Sequence, residues 1–139
     1  MAGRISLDEL LAEARAGVDR VAPEALSAEM SAGALVVDIR PAEQRDRDGS
    51  LAGAVVIDRN VLEWRLDASS PYRIGEVTGY DQRIVLVCNE GYASTLAAAT
   101  LRRLGLHRAT DVMGGYQALA KSMSSTALHD SEAVNSEAR

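Results

Sequence analysis

Short apolar runs, separated by polar segments with helical spacing, recur along this chain. Each run is closed by charged residues or by a turn, which is typical of strands buried in a parallel sheet. Such strands bury both faces, so their sequences are continuously apolar and do not alternate. The predicted strands are Ala34–Ile39, Ala54–Asp58, Arg83–Val87 and Arg108–Met113, with a very short one at Val18–Val21.

The polar segments between these runs carry the spacing and the end signals of helices. Ser6 and Glu9 have the separation of a capping box, which predicts a helix that starts at Leu7. Gly17 follows as a stop signal. The strongest later pattern is Thr95–Leu104. Further helices are predicted at Pro23–Ser31, Val61–Leu66 and Tyr116–Lys121, with one helical turn at Ala42–Arg47.

Strands that alternate with helices indicate an α/β fold, here with about five mainly parallel strands between helices on both faces. The chain has the length of one domain. Ligands of such folds bind beyond the carboxyl ends of the strands, and Cys88 follows one of those ends. We divide the chain into an N-terminal helix at 1–17, a domain at 18–121 and a Ser-, Ala- and Glu-rich tail at 122–139, which is predicted to be disordered.

Composition and charge limit which binding partners and which cellular compartment we expect. The chain has 139 residues, a formal net charge of -5 and a pI near 5.0, which argues against nucleic acid and anionic membranes as partners. The N-terminus lacks the unbroken apolar core of a signal peptide, and no apolar stretch nears the roughly 20 residues that span a bilayer. A single cysteine cannot form an intrachain disulfide, and we predict a cytoplasmic protein.

The one cysteine, Cys88, lies where a predicted strand turns directly into a predicted helix. Gly91 permits a left-handed backbone step in this loop, whose backbone N–H groups have no strand partners. Together with the N-terminus of the following helix, these groups are expected to surround the sulfur and stabilise a thiolate or another sulfur anion. We therefore predict a nucleophilic cysteine. The loop residues expected to bind the substrate are Asn89, Glu90, Gly91, Tyr92, Ala93 and Ser94.

Two other roles for Cys88 stay open at this point. It can be a small buried hydrophobic residue at a strand end, without any chemistry. A cysteine-protease arrangement needs a histidine base, which His107 supplies only if the fold brings it near. A metal site is not expected, because His107 and His129 lack the spacing of ligands. We predict neither a metal nor another cofactor.

Four segments, taken in order, resemble the rhodanese-like sulfurtransferase family. They span about residues 18–120, which is most of the chain. The cysteine loop alone is a moderate signal, whereas four matching segments in order are a strong one. The first segment is LVVDIRPAEQ, in which Asp38, Ile39, Arg40 and Glu43 match the family's Asp-Val-Arg and later Glu. The second is DGSLAGAVVID, and the third is IVLVCNEGYAS, which is similar to the active-site loop Cys-x-x-Gly-x-x-Ser. In the fourth, LGLHRATDVMGGYQAL, a strand runs into Gly-Gly and a helix.

The resemblance implies a single rhodanese-like domain and a reaction. Cys88 would accept a sulfane sulfur, become a persulfide and pass the sulfur to a thiol or to cyanide, while the loop amides hold the terminal sulfur. The donor would be a small sulfur compound or a protein persulfide. The alternative is a binding or regulatory module that keeps the fold without catalysis. An intact Cys88 and Gly91 favour the enzyme, because a binding module needs neither.

The loop departs from the family in its charge. Family members often have a cationic residue just after the cysteine or near the end of the loop. This chain has Asn89 and Ala93 there, and Glu90 adds a negative charge. We therefore expect weaker binding of a dianionic donor such as thiosulfate. A protein donor would instead dock on the surface around Cys88.

Phosphoryl transfer is the other chemistry associated with this fold. Dual-specificity phosphatases and arsenate reductases place a histidine before the cysteine and an arginine six residues after it. Here those positions hold Val87 and Ser94. Without the arginine, the main clamp on a phosphoryl group is missing, which argues against this chemistry.

Five residues outside the loop are candidates for the pocket. Asp38 and Arg40 lie at the carboxyl end of a predicted strand, where the resemblance implies chiefly a structural network. Arg59 and Arg65 lie on a long connection, and either can supply the positive charge that the loop lacks. Trp64, the only tryptophan, either packs on the core or walls the pocket.

Overall fold

The computed structural model describes residues 3–123, in which strands and helices alternate around one parallel sheet. The strands are β1 Leu35–Asp38, β2 Val55–Val56, β3 Ile84–Val87 and β4 Ala109–Asp111. The helices are α1 Leu7–Arg15, α2 Leu26–Ser31, α3 Ala42–Asp48, α4 Leu62–Leu66, α5 Ala93–Arg103 and α6 at 115–123, with single 3-10 turns at Pro23–Ala25 and Arg59–Val61. The predicted α/β fold, a parallel sheet between helices, is confirmed.

The strands lie in the order β2-β1-β3-β4, and every neighbouring pair is parallel. Within residues 3–123 the sheet therefore has four strands, where about five were predicted. The fifth, at Val18–Val21, is reduced to a single bridge between Val21 and Val112. The residues before the bridge turn instead, because the N–H of Arg20 donates to the carbonyl of Val18.

Both faces of the sheet are covered, as the continuous apolar runs predict. Alternate residues of β3 point to opposite faces. Ile84 and Leu86 pack with Leu101 of α5, while Val85 and Val87 belong to the cluster on the other face. All of them are fully removed from solvent, and burying each such side chain contributes about 1.5–3 kcal/mol. The loop that follows β3 is therefore attached to a strand that is buried on both faces.

The N-terminal helix lies next to that loop. α1 begins at the predicted capping box, in which Ser6 Oγ accepts from the N–H of Glu9 at 3.0 Å. The helix packs against α5, with Leu11 buried. Arg102 of α5 donates to the carbonyl of Ala14, which fixes the C-terminal end of α1.

The C-terminal helix α6 runs past its predicted end at Lys121. Residues 122 and 123, which the sequence places in the tail, are therefore helical. The rest of the predicted tail, 124–139, lies outside the described residues. Between residues 3 and 123, no helix is both long and apolar enough to cross a membrane.

Candidate active site

Cys88 follows β3 directly, at the edge where the carboxyl ends of the parallel strands meet. Its side chain is buried, with 6% exposed. The backbone N–H groups of Gly91 and Ser94 point at the sulfur, at 3.1 and 3.3 Å. Ser94 lies in the first turn of α5, where N–H groups have no partner within the helix and favour a negative charge. The structure thus brings two amides of the predicted loop to the sulfur.

Gly91 makes the turn that aims its N–H at the sulfur. Its φ is +86°, in the left-handed region that side chains other than glycine rarely adopt. A Cβ at this position would lie 2.7 Å from the nitrogen of Gly114, so the space is also closed to a larger residue. Both the backbone angle and the packing therefore require glycine here.

The thiol of Cys88 is linked through Ser94 to a buried carboxylate. The thiol donates to Ser94 Oγ at 3.1 Å, and the Ser94 hydroxyl donates to Asp111 Oδ2 at 2.7 Å. Asp111 ends β4, with only 2% of the residue exposed. Since a hydroxyl has one proton, Ser94 can donate to the sulfur only by leaving Asp111. The hydroxyl can therefore accept from the neutral thiol or, after leaving Asp111, donate to an anionic sulfur.

Asp111 is held in turn by Arg20. Arg20 donates to both oxygens of the carboxylate, at 2.9 and 3.0 Å, and Thr95 Oγ1 lies 2.9 Å from Oδ2. The pair is bidentate and largely buried, which is the geometry that makes arginine–carboxylate pairs strong. The sequence analysis missed Asp111 and Arg20. The available signal was an acidic residue, Asp111, inside the predicted buried strand Arg108–Met113.

Gly115, of the Gly-Gly pair, packs directly against the cysteine loop. A Cβ on Gly115 would lie 2.6 Å from the carbonyl oxygen of Cys88 and 2.7 Å from the nitrogen of Gly91. This close approach lets the N–H of Tyr116 donate to the Cys88 carbonyl at 2.8 Å. The N–H of Gln117 donates to the Asn89 carbonyl at 3.1 Å. The N-terminus of α6 therefore fixes the first two residues of the loop.

The side chain of Gln117 extends this support to α3. Its Nε2 donates to Asn89 Oδ1 and to Asp48 Oδ2, both at 3.0 Å. The hydrogen bond from Arg47 lowers the pKa of Asp48 below its ordinary value, so this carboxylate stays an acceptor at neutral pH. Gln117 thus holds Asn89 at two points, its side-chain oxygen and its backbone carbonyl.

A cavity of about 490 Å³ opens over the cysteine. Among the predicted site residues it is lined by Cys88 together with Arg40, Arg59, Asn89, Glu90, Tyr92 and Ala93. Ile39, Pro41 and Gln44, which were not among the predicted site residues, complete the lining from the end of β1 and from α3. A second cavity of about 540 Å³ lies between Met30, Leu51 and Leu119, away from Cys88.

The charge of Arg40 is neutralised inside the protein. Its side chain is fully buried and pairs with Asp38 at 2.8 Å, while it also donates to the Gly49 carbonyl. The guanidinium stacks on Tyr116, 3.7 Å from the ring centroid. Within the described residues, its Nη1 is the one buried side-chain polar atom without a hydrogen bond. This geometry favours the structural network that the resemblance implies for Asp38 and Arg40.

Of the three candidates on the long connection, the structure brings only Arg59 to the cavity. Arg59 is half-exposed and pairs with Glu63 at 2.8 Å, one helical turn away. Arg65 donates to the Tyr72 carbonyl and does not line the cavity. Trp64 neither packs in the core nor walls the cavity, since 57% of it is exposed. The reason is the helical phase of α4, in which Leu62 and Leu66 face the core.

The family model for the rhodanese-like domain matches residues 22–122. This chain belongs to the rhodanese-like domain family. The match covers β1 to β4 and includes the cysteine loop, but it begins after α1 and after Arg20. No curated protein matches the chain significantly.

Solved structures agree with this assignment. A Rhodopseudomonas palustris protein of unknown function, described as a possible tyrosine phosphatase, is 28% identical, with a TM-score of 0.75 over 88% of this chain and 96% of its own. A rhodanese homologue from Thermus thermophilus is 30% identical, with a TM-score of 0.52 over 72% and 99% of the two chains. The human single-domain sulfurtransferase shares the fold at 24% identity, with a TM-score of 0.64 over 76% and 97%.

Proposed function

We propose that this rhodanese-like protein is a sulfurtransferase that carries a sulfane sulfur as a persulfide on Cys88. The observation that carries the proposal is the arrangement around Sγ: two backbone N–H groups at 3.1 and 3.3 Å, at a helix N-terminus, beneath an open cavity. Donors fixed in this way stabilise an anionic sulfur without reorganising during the reaction. The presence of a sulfurtransferase among the structural neighbours supports the same chemistry.

The reaction has two displacement steps at sulfur. In the first, the Cys88 thiolate attacks the outer sulfur of the donor, a sulfur–sulfur bond forms, and the donor's own bond to that sulfur breaks. With thiosulfate, sulfite leaves with the electron pair. In the second step, a thiolate or cyanide attacks the terminal sulfur, and Cys88 leaves as the thiolate. No external oxidant or reductant is needed, and the chain returns to its starting state.

The charges that line the cavity favour a donor other than a small dianion. Arg40 is neutralised by Asp38 and Arg59 by Glu63, which leaves the exposed Glu90 in the cavity without a cationic partner among the described residues. A dianionic donor would enter against that charge. We therefore expect the protein to prefer a low-molecular-weight persulfide or a protein persulfide over thiosulfate, with a thiol as the acceptor.

Glu90→Gln is expected to speed sulfur loading from thiosulfate about two- to fivefold, because it removes one exposed negative charge next to the bound dianion. Loading from a small persulfide, which carries less negative charge than thiosulfate, should change less. Loading from thiosulfate is measured as sulfite release and loading from the persulfide as release of its thiol, both at low ionic strength, where such effects are largest. Glu76→Gln is the matched control, since Glu76 is exposed and lies outside the cavity. Equal acceleration by both variants, or none by Glu90→Gln, contradicts the role given to Glu90.

Phosphatase activity, the description given to one structural neighbour, is less well supported for this chain. Ser94 occupies the place of the arginine that grips a phosphoryl group. Arg15 and Arg20 approach the loop, but neither lines the cavity over Cys88.

A non-catalytic binding module is the other alternative, and nothing in such a module would require donors aimed at the sulfur.

A turnover assay separates these alternatives. Purified wild-type protein is expected to form thiocyanate from cyanide, or sulfide from a dithiol, when it is supplied with thiosulfate or a small persulfide. Cys88→Ser should abolish both activities, and hydrolysis of an aryl phosphate should be absent in either protein. Cys88-dependent phosphate release would favour the phosphatase, and a folded protein without turnover from any donor would favour the binding module.

A further inference from the structure

Two arginines from outside the family match reach the cysteine loop. The match begins at residue 22, whereas Arg15 ends α1 and Arg20 precedes the bridge at Val21. Both side chains donate to the carbonyl oxygen of Gly91, from Nη2 of Arg15 at 2.9 Å and from Nη2 of Arg20 at 3.1 Å. The N-terminal segment therefore adds contacts that the matched domain does not contain.

Three donor groups lie within hydrogen-bond distance of the carbonyl oxygen of Gly91. Besides the two guanidinium groups, Thr95 Oγ1 lies 3.0 Å from it. Arg15 Nε also donates to Thr95 Oγ1, at 3.3 Å, and the Arg15 guanidinium lies over the Tyr92 ring, 5.6 Å from its centroid. Arg15 thus contacts Gly91, Tyr92 and Thr95 at once, from the middle of the loop to the first turn of α5.

Gly91 needs such support more than its neighbours do. Glycine has the widest choice of backbone angles, so a free Gly91 would not keep the φ of +86° that points its N–H at the sulfur. Hydrogen bonds that hold the carbonyl of Gly91 restrict its backbone angles, and they thereby keep its N–H directed at the sulfur. The buried contact with Gly114 limits the space around Gly91 but supplies no partner for its carbonyl.

The two arginines differ in how their charge is balanced. Arg20 pairs with the buried Asp111, which also accepts from Ser94. Arg15, by contrast, forms no salt bridge with any residue in the range 3–123. Its positive charge is therefore directed at the loop itself, which has no cationic side chain of its own.

We infer that Arg15 and Arg20 are positioning residues, which hold the cysteine loop with the N–H groups of Gly91 and Ser94 aimed at the sulfur. Neither touches the donor, since neither lines the cavity. The consequence for the rate of sulfur transfer rests on the proposed function. The effect on the loop does not, and it can be measured without any substrate.

The test compares Arg15→Met, Arg15→Lys and Arg4→Met in the full chain. Arg4→Met is the matched control, because it removes one positive charge from an exposed residue ahead of α1. The first measurement is amide hydrogen exchange by NMR at Gly91 and Ser94, compared with the amides of β3. The second is the rate of sulfur loading on Cys88, separated into kcat and KM.

Arg15→Met is expected to speed exchange at Gly91 and Ser94 about tenfold while β3 is unchanged, because only local opening is affected. It should lower kcat about fivefold with little change in KM, and Arg15→Lys should restore part of both. The control should match wild type. Unchanged exchange at both amides, or equal acceleration in β3, overturns the inference. If the wild-type protein loads no sulfur, the proposed function fails and the exchange data still decide the positioning role.

Discussion

Replacing Gly115 by alanine is expected to cost about 3 kcal/mol of stability, from left-handed backbone strain and overpacking together. The residue has a φ of +60°, and its Cβ would lie between 2.6 and 2.8 Å from three backbone atoms of residues 88, 89 and 91. None of these atoms belongs to a flexible side chain, so relief requires the cysteine loop to move away from α6. We therefore expect the rate of sulfur transfer to fall more than the loss of folded protein alone would explain.

Two other glycines separate the sources of this cost. Gly75 has no positive φ and nothing within 4 Å of a built Cβ, so Gly75→Ala should be close to neutral. Gly33 has a φ of +97° but open space around it, so Gly33→Ala should show only the backbone strain, about 1 kcal/mol. Urea unfolding of the three variants measures the difference. A Gly115→Ala protein as stable as Gly33→Ala would show that the contact between α6 and the loop is not tight.

The second large effect is expected for Arg20→Met, which leaves the buried Asp111 without its cation. Breaking a buried pair by removing one partner costs about 3–5 kcal/mol, and the lower value applies because 15% of the Arg20 side chain is exposed. The remaining carboxylate would keep the hydroxyls of Ser94 and Thr95 within hydrogen-bond distance, but it would have no directly paired cation. The free energy of unfolding at pH 7, from urea titration, gives the loss.

A double-mutant cycle assigns this loss to the pair. If the cost comes from an unpaired buried charge, Asp111→Asn in the Arg20→Met background should recover much of the stability, because the charge is then gone. Arg20→Lys should be intermediate, since lysine restores the charge but not the bidentate geometry. Additive losses in the double variant would mean that Arg20 stabilises the fold through its contact with Gly91 and not through Asp111.

The elements of the fold follow from local patterns, and most could be predicted from them. The capping box at Ser6, the buried strand ending at Val87 and the helix after the cysteine loop all depend on residues close in sequence. The position of Cys88 at the carboxyl edge follows from the parallel sheet. Trp64 could not be placed, because its exposure depends on which face of α4 meets the core.

The support behind the loop could not be read from the sequence, because it joins residues far apart in the chain. Arg20 and Asp111 are 91 positions apart, and Arg15 and Gly91 are 76 apart. Each of these arginines looks like an ordinary surface cation in the sequence. Only the packing of α1 on α5 and the bridge at Val21 bring them to Gly91. The Gly-Gly pair was recognised as the link between a strand and a helix, but its contact with the loop needs the folded chain.

The central claim is that Cys88 carries the transferred sulfur, and intact-protein mass spectrometry tests it most directly. Reduced wild-type protein and Cys88→Ser are incubated with thiosulfate and, separately, with a low-molecular-weight persulfide. We predict a gain of about 32 Da, one sulfur atom, in the wild type. The gain should be larger with the persulfide, lost on adding a thiol, and absent in Cys88→Ser. A folded, reduced wild-type protein that gains no sulfur from either donor, or a Cys88→Ser protein that gains it equally, would contradict the claim.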